Sequence, residues 1–233
     1  LMLVDKPEGL TSHDVVDRIR KHFSFRKVGH GGTLDPMATG LLVLLIGRGT
    51  KLSDQVMGAD KGYEGVMHFG ISTDSHDRDG EVTEERDAGG LTRDQLEAEM
   101  DNWRGDVMQT PPMVSAIKKN GVPLYKLARK GKSIEREPRL IHIFDLKLLD
   151  VNLPEAAFRM KCTKGTYVRT LAADIGEALG CGAHLSALRR TASGKLSVDD
   201  AVPLDTILDW DRDQFGERLI PATRFLAQVK ADS

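Results

Sequence analysis

A glycine-rich loop that runs directly into an apolar stretch constrains this chain more than any other feature. Residues 29–40, here called the glycine-rich loop, read Gly-His-Gly-Gly-Thr-Leu-Asp-Pro-Met-Ala-Thr-Gly, and the apolar run Leu41–Ile46 follows at once. Glycine is favoured where the backbone takes a positive φ or where another molecule approaches closely. The length of the apolar run predicts a buried strand. We therefore expect a shaped loop at the start of a buried strand, with His30 and Asp35 as its candidate reactive side chains.

The dipeptide Asp35-Pro36 also has a simpler interpretation. An aspartate followed by proline is typical of a turn or a helix start, where the carboxylate caps backbone N–H groups and proline fixes φ. On these two residues alone, a structural turn is the commoner situation. Only the rest of the chain can separate a capping aspartate from a reactive one.

Composition narrows the class of protein. A chain of 233 residues can bury one generous core or two modest ones, and its 40% hydrophobic and 29% charged residues are typical of a soluble globular protein. No apolar run approaches the ~18 residues of a membrane span, and the first residues lack a signal-peptide pattern. The only two cysteines, Cys162 and Cys181, make neither a disulfide framework nor a metal cluster. We expect a cytoplasmic protein.

Charge is segregated along the chain, although the net charge is only −2. Residues 60–101 hold 13 acidic and 4 basic residues and residues 199–217 hold 7 and 1, whereas residues 118–139 hold 8 basic and 2 acidic residues. A basic segment in an otherwise acidic protein indicates a surface for a polyanion, the alternative being a solvated helix face. We expect an inserted arm, about residues 109–139, that protrudes between regular elements.

Apolar periodicity predicts a mixture of strands and helices. The predicted strands are residues 1–4, 41–46, 61–70, 105–112, 139–151, 155–163 and 184–191. The predicted helices are residues 12–22, 51–57, 92–103, 124–130, 168–179, 204–210 and 221–227. Capping boxes, Thr11 with Asp14 and Thr92 with Gln95, mark the starts of the first and third of these helices. Because strands and helices do not alternate strictly, we expect an α+β fold, with a mixed, largely antiparallel sheet flanked by helices in a single catalytic domain that spans residues 1–233.

The polar tract Ser72–Gly80, here called the acidic loop, contains Asp74, Asp77 and Asp79. Such a tract invites comparison with a calcium-binding loop. The register fails, because with Gly80 as the turn glycine the closing acidic ligand would fall on Arg86. We therefore expect a solvated loop without a metal ion.

Five blocks of sequence, in this order along the chain, resemble one enzyme family: residues 5–16, 29–42, 61–80, 109–129 and 164–190. The string G-H-G-G-T-L-D-P-M-A-T-G-L-L is its most specific part, and the family is that of the TruB-type pseudouridine synthases. The resemblance implies the pseudouridine synthase fold and isomerisation of uridine 55 in the T loop of tRNA to pseudouridine. That reaction has no net redox change and no hydrolysis, so we expect no cofactor and no metal.

The resemblance also implies roles for three residues at the reacting base. Asp35 is the catalytic residue, which either attacks the sugar or removes a sugar proton. Arg169 is its cation, needed to offset the desolvation of an ionised carboxylate. Because Arg169 would lie in the first turn of a helix, where the macrodipole disfavours a cation by about 0.3 to 1 kcal/mol, a carboxylate partner would explain its position. Tyr63 lies against the base, with its hydroxyl as a candidate proton acceptor at C5.

A uridine inside a folded RNA loop must be flipped out before it can react. By resemblance, His30 occupies the RNA side of this flip and Leu188 packs against the extruded base. The other residues that we expect to bind RNA are Lys6, Lys118, Lys126, Arg129 and Lys130.

The chain departs from the family pattern in three places. Gly31 stands where a small hydroxyl residue is usual, and Val114 where an aromatic residue is frequent. Bacterial relatives also commonly carry a further small RNA-binding domain beyond the position of Ser233, so either the protein lacks that domain or the domain follows the last residue of this sequence. The alternatives are a guide-RNA-dependent synthase, a non-catalytic RNA-binding module, and a glycosidase, which usually needs two placed carboxylates.

Overall fold

The computed structural model describes residues 1–113, 118–119, 122–123 and 136–230. The fold combines helices with a large, mostly antiparallel sheet, which confirms the predicted α+β class. In these parts of the chain, no helix is both long enough and apolar enough to cross a membrane.

The elements follow one another without a strict alternation of strand and helix. The strands are β1 Met2–Lys6, β2 Val28–His30, β3 Thr39–Ile46, β4 Lys61–Phe69, β5 Ile71–Thr73, β6 Val82–Glu85, β7 Gly105–Gln109, β8 Lys118–Lys119, β9 Val122–Pro123, β10 Arg139–Asn152, β11 Glu155–Cys162, β12 Ala183–Ser193, β13 Leu196–Ser197 and β14 Val202–Pro203. The α-helices are α1 Ser12–His22, α2 Ser53–Gly58, α3 Arg93–Asn102, α4 Val168–Ala178, α5 Leu204–Leu208, α6 Arg212–Glu217 and α7 Ala222–Lys230, and 3₁₀ helices span Gly47–Leu52 and Val198–Asp200.

The chain divides into two compact units. The first comprises Leu1–Tyr63 and Leu188–Ser233, and the second comprises Glu64–Ala187. The boundaries between them fall inside strands β4 and β12. The expected single catalytic domain with an inserted arm stays a prediction, because most of the arm lies outside the described residues.

Strand β3 is the centre of the first unit. It pairs antiparallel with β1, from Met2 opposite Leu44 to Lys6 opposite Gly40, and antiparallel with β2. All residues from Gly40 to Leu45 are buried, which explains why this strand is an unbroken apolar run instead of an alternating one. Its side chains join a core that contains Leu3 and Phe225.

Gly40 allows another strand to lie close to the end of the glycine-rich loop. Its φ is +94°, and a Cβ atom here would overlap the backbone of Arg190. In the first unit, β12 runs parallel to β3, with Arg189 opposite Thr39 and Arg190 opposite Gly40. Glycine is therefore required at this position both for its backbone conformation and for the close approach of β12.

In the second unit, β10 pairs antiparallel with β11 and with β7. Helix α4 presents Leu171, Ala172 and Ile175 to the interior, and Arg169 lies in its first turn as predicted. The acidic loop begins in β5, which pairs with β6.

Local signals predicted most of these elements. Helices α1 and α3 begin at the capping boxes expected from the sequence, formed by Thr11 with Asp14 and by Thr92 with Gln95. The prediction missed several elements of only two to six residues each, namely β2, β5, β6, β8, β9, β13, β14 and α6. Elements this short do not display a measurable apolar period.

Candidate active site

Asp35 lies in a turn of the glycine-rich loop. Its backbone carbonyl accepts a hydrogen bond from the N–H of Ala38 at 3.1 Å, and the residue is half-buried. The simpler interpretation of Asp35-Pro36 as a turn is therefore confirmed as local geometry. It does not compete with a reactive role, because this hydrogen bond uses the backbone of Asp35 and not its carboxylate.

The residues immediately before and after Asp35 are both clamped. The hydroxyl of Ser12 accepts a hydrogen bond from the N–H of Leu34 at 2.8 Å and donates one to the Leu34 carbonyl at 3.2 Å. The carbonyl of Pro36 accepts from the N–H of Gly9 at 2.8 Å. Asp35 is thus carried between two positions fixed to the start of α1 and to the turn before it.

Lys6 supports this loop from inside the protein. The residue is fully buried, and its Nζ donates to the carbonyls of Leu10 at 2.6 Å, Pro7 at 2.9 Å and Pro36 at 3.3 Å. Burial lowers the pKa of Lys6 to about 8, and the negative charge of Asp35 is the strongest influence that opposes this shift. The sequence predicts RNA binding by Lys6, whereas the structure places it beneath the loop, with its three donors on backbone carbonyls and its charge facing Asp35.

Arg190 is a second buried cation behind the loop, and the sequence did not reveal it. It is 2% exposed, and its guanidinium donates to the carbonyls of Leu41 at 2.7 Å, Gly32 at 3.2 Å and Thr33 at 3.3 Å. Burial lowers the pKa of Arg190, while its charge interaction and hydrogen bond with Tyr63 oppose that shift. The strand period could have indicated its burial. Alternate residues of a strand lie on the same face, and Arg190 follows Leu188 by two positions.

Tyr63 and Leu188 are both buried, at 8% and 9% exposure, and both lie in the first unit with Asp35. The hydrogen bond from Arg190 ties Tyr63 to the guanidinium that holds the loop. The Leu188 carbonyl accepts a hydrogen bond from the hydroxyl of Thr39, at the end of the loop, at 3.3 Å. The first unit therefore brings both predicted base contacts to the framework of the glycine-rich loop.

His30 ends strand β2 and is half-buried. Its Nδ1 atom is buried and has no hydrogen-bond partner in the described structure. Burial lowers the pKa of His30, a hydrogen bond with the backbone of Gly32 opposes this, and the charges of Arg190 and His13 lower it further. The ring is consequently neutral at pH 7, which suits a planar group that stacks against a base.

Arg169 has the carboxylate partner that its helical position requires, and that partner is Asp77. Their Nη1 and Oδ2 atoms are 3.0 Å apart, and both side chains are 5% exposed. The other carboxylate oxygen of Asp77 accepts from the Ser75 hydroxyl at 2.6 Å and from the Asp79 N–H at 3.1 Å. The prediction of a solvated acidic loop is therefore wrong for Asp77, which is buried by a partner distant in sequence.

The predicted site residues do not all lie in one unit. His30, Asp35 and Tyr63 lie in the first unit and Arg169 in the second, so the expected pairing of Asp35 with Arg169 stays a prediction. Three predicted RNA contacts, Lys126, Arg129 and Lys130, lie outside the described residues, as does Val114. Lys118 lies in β8, where only the backbone is described.

A pocket in the first unit carries positive charge that the sequence analysis did not single out. It has a volume of about 370 Å³, with Phe25 and Ile46 on its apolar wall. The charged residues that line it are Arg26, Lys27, Arg48 and Lys51. We call it the basic pocket. The signal was present in the sequence, because residues 18–34 contain no Asp or Glu.

Gly31, one of the departures from the family pattern, occupies a tightly packed position. Its N–H donates to the carbonyl of Val43 at 2.8 Å, and a Cβ atom on it would overlap the side chain of Val56. The side chain of Val56, from α2, therefore occupies the space that a side chain at position 31 would need.

Two family models match the chain. Residues 20–168 match the TruB family pseudouridylate synthase (N terminal domain), and residues 169–227 match the tRNA pseudouridylate synthase B C-terminal domain.

Among curated relatives, tRNA pseudouridine synthase B of Opitutus terrae is 52% identical, over 95% of this chain and 92% of the relative. The proteins of the same name from Francisella philomiragia and Burkholderia pseudomallei are 47% and 45% identical, over 92% and 100% of this chain and 71% and 78% of the relatives. Among solved structures, a Cbf5-Nop10-Gar1 complex aligns with a TM-score of 0.73 at 31% identity, over 93% of this chain. An H/ACA RNP bound to a substrate RNA containing 2'-deoxyuridine aligns with a TM-score of 0.69 at 27% identity, over 96% of this chain. This chain spans little more than half of those two solved chains, 57% and 56% respectively.

Proposed function

The chain belongs to the TruB family of pseudouridylate synthases, and from this premise we propose that it converts uridine 55 in the T loop of tRNA to pseudouridine. The observation that carries the proposal is the glycine-rich loop, in which Asp35 is held between clamped neighbours and faces the charge of Lys6. An RNA-binding module without catalysis would need neither the buried cation nor the clamped carboxylate.

The reaction breaks the bond between N1 of the base and C1′ of the ribose, turns the base, and joins C5 to C1′. The proton on C5 leaves and N1 gains one, so atoms and electrons balance without a redox cofactor. We assign Asp35 as the group that acts on the sugar, by attack at C1′ or by removal of a sugar proton. Either route needs an ionised carboxylate, which Lys6 favours through its charge.

Tyr63 and Arg169 complete the proposed catalytic group. Tyr63, buried and hydrogen-bonded to Arg190, lies against the flipped base and takes the proton from C5. Arg169, aligned by Asp77, provides positive charge for the reacting sugar and base. Leu188 supplies an apolar wall for the base.

RNA is held by groups around this centre. The neutral ring of His30 takes the place of the flipped base in the RNA stack. The basic pocket, with cationic side chains beside an apolar wall, fits a sugar-phosphate backbone and an adjacent base. We retain Lys118, Lys126, Arg129 and Lys130 as proposed RNA contacts of the arm.

We propose that the protein acts alone and in the cytoplasm. The solved relatives are described as complexes with other proteins or RNA, so a guide-RNA-dependent synthase is the rival within the family. Modification of a bare T-loop hairpin, without any guide or partner, separates the two. The high identity to proteins named tRNA pseudouridine synthase B favours the stand-alone enzyme.

The test is release of tritium from C5-labelled uridine in a T-stem-loop RNA. Wild type should release tritium, and Asp35→Asn should reduce the rate by about 10³-fold or more, because the reacting group is lost. Asp54→Asn, which alters an exposed acid of the same unit, is the matched control and should retain the wild-type rate. Undiminished release by Asp35→Asn would remove Asp35 from the mechanism, and no release by wild type would favour the binding module.

Binding of the same hairpin tests the basic pocket. The double charge reversal Arg26→Glu with Arg48→Glu should weaken binding and reduce the slope of log K against log salt by about 1 to 2. The matched control reverses Arg218 and Arg224, two exposed arginines elsewhere in the first unit. Equal effects of the two double variants would mean that binding follows net charge and not this pocket.

A further inference from the structure

His76 has an unusual backbone conformation at the centre of the acidic loop. Its φ is +64°, and among the described non-glycine residues only Ser24 shares a positive φ. Such a conformation is uncommon outside glycine and persists only where the surroundings enforce it. Here the carbonyl of His76 accepts from the N–H of Leu185 at 3.0 Å, and its own N–H donates to Thr73 at 3.2 Å.

This conformation directs two consecutive side chains of the loop onto two consecutive residues of α4. Asp77 pairs with Arg169 at 3.0 Å, and Nδ1 of His76 lies 3.4 Å from Oγ1 of Thr170. Thr170 is 3% exposed and His76 is half-buried, so the second contact is partly shielded from solvent. We call these paired contacts the two-point clamp. The contact with Thr170 thus adds a second point of attachment between the acidic loop and the first turn of α4, one residue away from Arg169.

The charges around His76 come from three segments. Arg169 on α4 and Arg136, which precedes β10, present positive charge, while Asp77 and Asp74 belong to the same loop. Burial lowers the pKa of His76, the two arginines lower it further, and the two aspartates oppose them. The ring is therefore neutral at pH 7. Protonation would place a third cation beside Arg169 and Arg136.

We propose that neutral His76 is a positioning residue, which holds Arg169 in register through its contact with Thr170 and loses this hold when it is protonated. The proposal rests on the function proposed above, because it assigns Arg169 to that reaction. Protonation of His76, in the second unit, then lowers activity at low pH. This loss is separate from the one caused by protonation of Asp35.

The principal test is His76→Asn, because asparagine tolerates a positive φ but cannot reach Thr170 as the imidazole does. At pH 7.5 we expect kcat for tritium release to fall about 3- to 10-fold with little change in KM, the size expected for one hydrogen bond. In wild type, kcat should also fall as the pH is lowered, with an apparent pKa below 6.5. In His76→Asn this acid limb of the pH profile should move to lower pH by about one unit or more. His68→Asn, a histidine of the same unit with a 25% exposed side chain, should keep the wild-type limb.

A double-mutant cycle with Thr170→Val makes the test independent of His76→Asn alone. If the two side chains act through one contact, the double variant should lose no more activity than the worse single variant. An unchanged acid limb in His76→Asn, or additive losses in the cycle, would overturn the proposal.

The same cycle measured by urea unfolding separates this inference from the proposed function. If wild type released no tritium, the proposed function would fail, but coupling between His76 and Thr170 in the free energy of unfolding would still support the two-point clamp. An absence of coupling in unfolding would reject the clamp whatever the enzyme's activity.

Discussion

The glycine-rich loop and the acidic loop both carry an aspartate next to buried positive charge, but they use that charge in opposite ways. In the glycine-rich loop, Lys6 and Arg190 donate to backbone carbonyls. In the acidic loop, the carboxylate of Asp77 itself receives the ion pair and two further hydrogen bonds.

An aspartate beside a buried cation can therefore serve two purposes. A cation bound to the backbone fixes the path of the chain and still contributes its charge to a nearby carboxylate, as Lys6 does for Asp35. A carboxylate bound directly to a buried guanidinium becomes part of the framework, as Asp77 is. The first arrangement suits a reacting group and the second a group that orients another.

The comparison is tested most strongly by removing each carboxylate in turn. Asp77→Asn should lower the free energy of unfolding by about 3 to 5 kcal/mol, because it leaves Arg169 buried without its counter-charge. Asp35→Asn should cost about 1 kcal/mol or less, although it removes activity. Urea denaturation of both variants provides the measurement.

Two controls sharpen this contrast. Asp79→Asn, an exposed acid of the same loop, should stay within about 0.5 kcal/mol of wild type. Adding Arg169→Met to Asp77→Asn should recover much of the lost stability, because no charge is then buried unpaired. Equal costs for Asp35→Asn and Asp77→Asn would contradict the distinction between the loops.

The second test removes the cation beneath the glycine-rich loop. Lys6→Met should lower the free energy of unfolding at pH 7 by about 1 to 3 kcal/mol, because three carbonyls lose their donor. It should also lower the rate of tritium release, since Asp35 loses the charge that favours its ionised form. Lys61→Met is the matched control, because Lys61 is also buried and donates to three carbonyls, of Val56, Met57 and Ala59.

The pH dependence of Lys6 has opposite signs for activity and stability. The pKa of Lys6 is about 8 in the folded protein, below the ordinary lysine value of 10.5, so the unfolded chain binds more protons between these two values. The contribution of Lys6 to stability therefore rises with pH across this window, and the gap between wild type and Lys6→Met should widen. Activity should fall across the same window as Nζ loses its charge, and Lys61→Met should retain that alkaline limb. An identical limb in Lys6→Met would assign it to another group.

The smallest effect concerns a third aspartate, on the helix that carries Arg169. Burial raises the pKa of Asp174 to about 6 from 3.8, so the folded protein binds more protons between these values and this group costs stability as pH rises through them. Asp174→Asn should therefore raise the free energy of unfolding by about 1 to 2 kcal/mol at pH 7, with the gain vanishing near pH 4. Glu177→Gln, an exposed acid of the same helix paired with Arg86, should change it by less than about 0.5 kcal/mol. No gain for Asp174→Asn at pH 7 would show that the carboxylate is not destabilised by its surroundings.

The sequence predicted what local signals determine. The capping boxes at Thr11 and Thr92 and the buried strand after the glycine-rich loop follow from residues near one another in the sequence. The resemblance to a known family supplied Asp35, which Asp35-Pro36 alone would have left as a turn.

What the sequence did not predict depends on burial of charge by distant segments. Asp77 is separated from Arg169 by 92 positions, and Arg190 from the Gly32 carbonyl by 158. Lys6 was expected to bind RNA, whereas its Nζ donates to backbone carbonyls, which no side-chain pattern in the sequence reveals. These contacts follow from the tertiary fold and have no local period.

The contact between Gly31 and Val56 has a consequence for how this sequence can change over generations. A serine at position 31 would need a Cβ atom where the side chain of Val56 now lies. A serine at position 31 would thus first require a smaller residue at position 56, and that substitution alone would open a cavity. Position 31 in the glycine-rich loop and position 56 in α2 should therefore vary together among homologues.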